Sequence, residues 1–250
     1  MATRRRKGAM GRQSGLAGLV LFALLALAVG VLLKSQVFII RNIEVDHVET
    51  LAPNDVIRKA GLSLGGSVFA ADETRIRQNF EREGMIAFDR LERRLPDTIR
   101  LIVHERTRRA VVNYLGVALV IDDQGVVMEQ LGEMPSYNLT VVTGVRATSY
   151  QVGQRLTSDI PLQVESLLKV LSELQTQGLS SRISELNGAD LDNMYMMEKG
   201  GMMVKIGDDT MLKEKLVWMQ SVLDQQLYPQ GTNTGTLDVS SGTSAVYLAG

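Results

Sequence analysis

The sequence predicts an α+β protein: one N-terminal transmembrane helix, followed by two strand-rich domains. Three observations predict this. Residues 13–33 carry no charged side chain, and at about 1.5 Å per helical residue they match the roughly 30 Å hydrocarbon thickness of a bilayer. Behind them, short runs of alternating hydrophobicity are interrupted by segments of helical periodicity. The balance of charge also shifts near residue 110, which indicates a domain boundary.

The charges that flank the apolar segment predict its orientation. Only basic residues precede it, namely Arg4, Arg5, Arg6, Lys7 and Arg12. Because basic flanks stay in the cytoplasm, we predict a cytoplasmic tail at 1–12, a transmembrane helix at 13–34 and an extracytoplasmic remainder. A cleaved signal peptide is the alternative. Its apolar region is usually about 7–15 residues long and ends at a small-residue cleavage site, whereas this run is longer and leads into Lys34.

Composition excludes several classes of function. The chain has no cysteine, which excludes thiol catalysis and cysteine-ligated metals. Residues 110–250 hold 8 basic and 16 acidic side chains, so they lack the clustered cations that nucleic-acid binding requires. The acidic pairs at 122–123 and 208–209 are typical of turns and helix starts. Only two histidines occur, His47 and His104. We therefore predict no catalytic residue, no metal site and no cofactor.

Residues 37–107 are predicted to form the first domain, in the order β-α-α-β-β. A strand at 37–49 precedes a helix that starts at Pro53 and stops at Gly61. Asp72 is predicted to cap a second helix that stops at Gly84. Two further strands should then flank a turn at 95–98.

Residues 110–250 are predicted to form the second domain, which is β-rich with two helices. Turn residues predict hairpins at 122–125, at 198–201 and, in the last two strands, about Ser241-Gly242. A further strand is expected at 138–144.

The two helices of this domain are predicted from their caps and leucine spacing. Thr157 or Ser158 should cap the first, which ends at Gly178. Asp208 should cap the second, which ends before Pro229.

Several motifs carry a resemblance to a known family. The run LERRLPDTIRLIVHER at Leu91–Arg106, and the spacing from Ala60-Gly61 through Phe69 to Asp72, are similar to the POTRA domain of the FtsQ/DivIB family of bacterial cell-division proteins. The order helix, strands, helix, final strands over 110–250 resembles that family's β-domain. The resemblance implies a bitopic, non-catalytic scaffold of the inner membrane. It also implies recruitment to the septum and binding of FtsB/FtsL-like division proteins.

The last strand is the predicted partner-binding element. A terminal strand offers unpaired N–H and C=O groups to a strand of another chain. By resemblance, alignment of the Ser-Gly turn assigns partner binding to Val239, Ser241 and Tyr247. The alternative is that Val239 and Tyr247 are core residues of the last sheet.

Two side-chain clusters and two rival functions stay open. Methionines between Met194 and Met203 form either strand core or an adaptable binding face. The arginines between Arg90 and Arg109 either face anionic lipid or form a solvated, ion-paired strand face. The rival functions are a POTRA-bearing chaperone of protein export and a membrane-anchored hydrolase.

Overall fold

The computed structural model describes residues 18–27, 30, 36–46, 48–133, 138–225 and 234–249. The predicted tail at 1–12 and half of the predicted membrane helix at 13–34 lie outside these residues, and the other half consists of the helical positions 18–27 and 30. Within the described part of the chain, no helix combines the length and the apolar character that crossing a membrane requires.

Two compact units make up the described chain. The first contains the residues up to Ile76 together with Asp89–Val103. The second contains Arg77–Phe88 and everything from His104 onward.

A three-stranded sheet in the order β1-β3-β2 confirms the predicted β-α-α-β-β arrangement. β1 runs parallel to β3, with Asn42 opposite Thr98. The elements are β1 (Asn42–Asp46), α1 (Pro53–Ala60), α2 (Glu73–Glu83), β2 (Ile86–Arg94) and β3 (Thr98–Glu105).

Local chemistry sets the ends of both helices. Pro53 is the first residue of α1. Gly61 ends the helix with a φ of +73°, a backbone conformation that would be strained in a residue with a side chain. Asp72 accepts a hydrogen bond from the Thr74 N–H at 2.9 Å. The first strand is shorter than predicted, because residues 36–38 form one 3₁₀ turn before β1.

The second unit is built on a nine-stranded sheet in the order β14-β13-β12-β11-β10-β7-β4-β5-β6. A separate two-stranded sheet pairs β8 with β9. The strands are β4 (Ala110–Tyr114), β5 (Val117–Ile121), β6 (Val127–Leu131), β7 (Thr140–Thr143), β8 (Ala147–Ser149), β9 (Thr157–Ser158), β10 (Ile183–Asn187), β11 (Met194–Glu198), β12 (Met202–Gly207), β13 (Gly235–Asp238) and β14 (Val246–Ala249). Helices α3 (Gln163–Thr176) and α4 (Leu212–Gln225) share a core with one face of the large sheet.

Both helices of this unit start later than predicted. Thr157 and Ser158 form β9, and the Ser158 hydroxyl donates to the side chain of Gln163 at the start of α3 instead of capping the helix. Asp208 lies four residues before α4 and accepts hydrogen bonds from Thr210 and Lys215. A turn at Leu115 and Gly116 was also missed, so three strands lie where one hairpin was predicted.

Strand alternation divides the methionine cluster between the two faces of the sheet. Met194, Met196 and Met202 are buried in the core that faces the helices. Met197 and Met203 lie opposite each other in neighbouring strands and are partly exposed. Core and exposed face therefore both contain methionines.

Several of the arginines between Arg90 and Arg109 form ion pairs with acidic side chains. Arg90 pairs with Glu92, and Arg94 with Glu44. Arg106 pairs with the buried Asp122, whose carboxylate also accepts the N–H groups of the 122–126 turn.

Candidate partner-binding site

The hairpin formed by β13 and β14 is one edge of the nine-stranded sheet. Its two strands are antiparallel, with Leu237 opposite Tyr247 and Thr236 opposite Leu248. Among the described residues, no strand pairs with the outer side of β14. The backbone groups on that side are therefore placed to pair with another chain.

Tyr247 supports the hairpin from its inner face. It packs against the core cluster that contains Leu237, and its hydroxyl donates to the Thr234 carbonyl at 2.9 Å. Gly235 lies under the ring, where a Cβ would come within 2.9 Å of the Tyr247 hydroxyl oxygen. The ring thus explains why the strand needs glycine at this position.

Val239 and Ser241 have different surroundings. Val239 is fully buried, and its N–H donates to the Lys205 carbonyl at 3.0 Å. Ser241 is exposed in the turn, where its hydroxyl accepts the Thr243 N–H at 3.3 Å. Of the three predicted contact residues, only Ser241 is mainly at the surface.

The side chains that β14 presents outward are Val246 and Leu248, which sequence reasoning missed. They are 52% and 54% exposed, and they lie on the face opposite to Tyr247 because successive side chains of a strand alternate. Leu248 extends a cross-strand row that runs through Thr236 to Met203. Alternation about Tyr247 was the signal that could have identified them.

The turn between the strands is held by its own polar groups. The hydroxyl and the N–H of Ser240 both donate to the Asp238 carboxylate, at 2.6 and 2.9 Å. The Ser240 hydroxyl and then its N–H hold the pKa of Asp238 below its ordinary value. The carboxylate therefore stays charged and keeps the turn closed.

A polar depression of about 310 Å³ adjoins this turn. Lys205, Asp238 and Ser240 contribute to its lining, together with residues of the 192–195 segment. Charges of both signs border it, so it can accept a polar side chain of a bound segment.

The start of α4 supports the turn from behind. Gly242 lies against Met211, and a Cβ on Gly242 would approach the Met211 side chain to 3.0 Å. Lys215 is almost fully buried, and its ammonium donates to the Asp208 carboxylate at 2.7 Å and to the Asp208 carbonyl at 3.0 Å. This pair lowers the pKa of Asp208 to about 2, and it fixes the segment that carries Met211.

The opposite edge of the sheet is covered by the chain itself. The N–H of Gly153 donates to the Val127 carbonyl at 2.7 Å, and the Val127 N–H donates to Gln154 at 2.9 Å. Gly84 lies so close to the Met128 carbonyl that a Cβ would collide with it. The start of β6 therefore has internal partners on its outer side.

In the part of the chain that the structure describes, no group of His, Asp or Glu side chains is arranged so that it could hold a metal ion. His104 is exposed on β3, and His47 lies outside the described residues.

Comparisons with known proteins relate the chain to bacterial cell-division proteins. Residues 38–106 match the family model described as "POTRA domain, FtsQ-type". The chain is 22% identical over 226 residues to the cell division protein DivIB of Clostridium tetani, covering 90% of this chain and 85% of that protein.

Two further relatives carry the name FtsQ. The cell division protein FtsQ of Syntrophotalea carbinolica is 25% identical over 206 residues, covering 81% of this chain and 72% of the relative. The FtsQ of Zymomonas mobilis is 30% identical over 127 residues, covering 50% of this chain and 39% of the relative.

Proposed function

We propose that this chain, which belongs with the FtsQ/DivIB family of bacterial cell-division proteins, is a non-catalytic scaffold of the division machinery. It binds other division proteins, FtsB/FtsL-like partners among them, and supports septum formation. The observation that carries this proposal is the outer side of β14, with which no strand of the described part of the chain pairs and beside which Val246 and Leu248 are exposed.

Strand addition supplies both affinity and register at such an edge. A partner segment would pair its backbone with β14, while its alternate side chains contact Leu248 and the row behind it. Burying one leucine side chain contributes roughly 1.5–3 kcal/mol. Ser241 and the polar depression beside the turn would then fix the end of the partner strand.

A single membrane helix at 13–34 completes the proposed architecture, with the N-terminus in the cytoplasm and the bulk outside. Residues 13–33 are uncharged. In the helical stretch 18–27, the large apolar side chains are all more than half exposed, namely Leu19, Val20, Leu21, Phe22, Leu24, Leu25 and Leu27. Lipid would cover such a surface.

Membrane anchoring would strengthen the binding of a partner that is held only weakly at each single site. Contacts made through the helix, the POTRA domain and the β-domain act on one chain, so each raises the effective concentration for the next. A weak edge contact can therefore hold a partner at the septum.

The test is a fluorescent fusion imaged in dividing cells, with and without residues 246–250. Removal from residue 237 would also take out the buried Leu237 and Val239, whereas the shorter deletion takes only Tyr247 from the core contacts, and circular dichroism of the purified shortened chain checks that it stays folded. We expect both forms to reach midcell but only the full chain to retain its small partner in pull-downs. Retention of the partner by the shortened chain would refute strand addition, and a uniform peripheral signal would refute the scaffold role.

A further inference from the structure

The exposed apolar side chains of the first unit are concentrated at one end of it. Beyond the apolar stretch 18–30, the large apolar residues exposed in its described part are Val37, Leu64, Phe69 and Leu95, at 44–65% exposure. They come from three separate segments of the chain. Patches of this kind in a folded unit mark a surface that another phase or molecule covers.

Backbone hydrogen bonds join the first two segments. The Ile40 N–H donates to Gly66 at 2.7 Å, and the Gly65 N–H donates back to Ile40 at 2.8 Å. The rings of Phe38 and Phe69 meet edge to face, with their centroids 5.3 Å apart. Residues 37–40 and 64–69 thus form one continuous surface.

The third segment, the β2–β3 turn, lies at the same end. The N–H of Arg41 donates to the Asp97 carbonyl at 2.9 Å, and Asn42 lies opposite Thr98 in the parallel register. Leu95 therefore flanks the beginning of β1. We call Val37, Phe38, Leu64, Phe69 and Leu95 the amino-end patch.

Chain length limits what can cover this patch. Three residues lie between Leu33 and Val37, and the four Cα–Cα steps from 33 to 37 span at most about 14 Å. The headgroup region on each side of the hydrocarbon core is roughly 5–8 Å thick. If residues 13–33 span the membrane, as proposed above, the patch is tethered within reach of the bilayer surface.

The rim of the patch has charges that suit this location. Arg41 and Arg94 follow Ile40 and precede Leu95, and their side chains are 63% and 51% exposed. Their partners, Asp97 and Glu44, are at the surface, where such ion pairs contribute little. Both guanidinium groups can therefore turn to lipid phosphate, which attracts arginine side chains near an anionic surface.

We propose that the amino-end patch inserts into the interface between lipid headgroups and acyl chains. This inference rests on the proposed membrane anchor. The patch makes the bilayer a second attachment point for the first unit. The occupant is a lipid surface, recognised by apolar side chains within an arginine rim.

Site-specific labelling tests this directly, because the chain has no cysteine. Full-length Leu64→Cys carrying an environment-sensitive fluorophore is reconstituted in nanodiscs of phosphatidylethanolamine and phosphatidylglycerol that contain lipid spin-labelled near the headgroup. Thr50→Cys is the control within the same unit: it is exposed and follows the far end of β1. We expect the Leu64 label to be quenched at least threefold more than the Thr50 label.

Leu21→Cys, measured in matching nanodiscs whose lipid is spin-labelled deep in the acyl chain because residue 21 lies near the middle of the proposed span, separates the two proposals. Quenching at Leu21 without excess quenching at Leu64 would overturn the patch and leave the anchor standing. Absence of quenching at both would overturn both. Quenching at Leu64 alone would support the patch and overturn the spanning helix.

A second measurement guards against a labelling artefact. The label is moved to Leu95→Cys, and Leu64→Glu with Phe69→Glu are added in the same chain. Two charges on the patch should reduce quenching at position 95 to the Thr50 level, while circular dichroism stays unchanged. Undiminished quenching at position 95 would overturn the proposal.

Discussion

The two edges of the nine-stranded sheet differ in whether the described part of the chain supplies hydrogen-bond partners to their outer backbone groups. At β6, the chain returns through Gly153 and Gln154 and bonds to the outer side of Val127. At β14, no described strand returns, and Val246 and Leu248 remain exposed. The unpaired N–H and C=O groups of an open edge can form hydrogen bonds with a strand of another chain. Under the proposed function, one edge serves stability and the other serves recognition, and the following substitutions test this.

The largest effect is expected at the closed edge. A Cβ on Gly153 would collide with the Glu81 backbone, and Gly153 has a φ of +82°. Gly153→Ala should lower the free energy of unfolding by about 4 kcal/mol or more. Urea denaturation of the purified chain measures it.

Gly116→Ala is the matched control. Gly116 has a φ of +85° with no atom within 4 Å of an added Cβ, so it carries only the conformational cost of about 1–2 kcal/mol. Equal losses in the two variants would show that the close approach at Gly153 does not hold the closed edge.

The next effect concerns the turn that leads into β6. Asp122 is 1% exposed and pairs with Arg106. Arg106→Met should cost about 3 kcal/mol in the free energy of unfolding, because it leaves a buried carboxylate without its cation. Adding Asp122→Asn should restore part of the loss. An additive loss in the double variant would contradict the pairing.

A smaller effect is expected for partner binding at the open edge. Leu248→Lys should weaken binding of the FtsB-like partner about tenfold, equivalent to about 1.4 kcal/mol, with unfolding little changed because the side chain is exposed. Titration with the purified partner measures it. Leu115→Lys is the control, since Leu115 is an exposed leucine outside the edge. Equal affinity in both variants would show that Leu248 makes no contact.

The smallest effect is expected in the pH dependence of stability, through the ion pair of Asp208 with Lys215. The pKa of Asp208 is lowered to about 2, below its unfolded value of about 3.9. The contribution of the Asp208 carboxylate to the free energy of unfolding is therefore complete above about pH 5 and is lost as the pH falls toward 2. Asp208→Asn should flatten the decline of stability across this window, as measured by urea midpoints at pH 7, 4 and 3. Parallel curves for the two proteins would contradict this coupling.

Local chemistry made much of the first domain predictable. Pro53 and Gly61 bound α1, and Asp72 and Gly84 bound α2, because caps and positive φ angles act within a few residues. Where long-range contacts intervene, prediction failed. The start of α3 depends on Gln163, whose side chain bonds to Gly144, Ser158 and Gly188.

The strands and the turn of the candidate site could be predicted from the sequence, but the side chains that form its surface could not. The Ser-Gly turn and its two strands follow from composition. Val239 and Tyr247 proved to support the hairpin from within, whereas Val246 and Leu248 face outward. Only the register with Leu237 decides which side of β14 faces the core.

By itself, the sequence determined the uncharged segment 13–33, the β-α-α-β-β order and the order of strands and helices that follows. These depend on hydropathy and turn chemistry, which are short-range. The tertiary structure alone decided which strands became edges, which edge the chain covered, and which apolar residues gathered at one end of the first unit. Those outcomes depend on hydrogen bonds and packing between residues far apart in sequence, so no local pattern contains them.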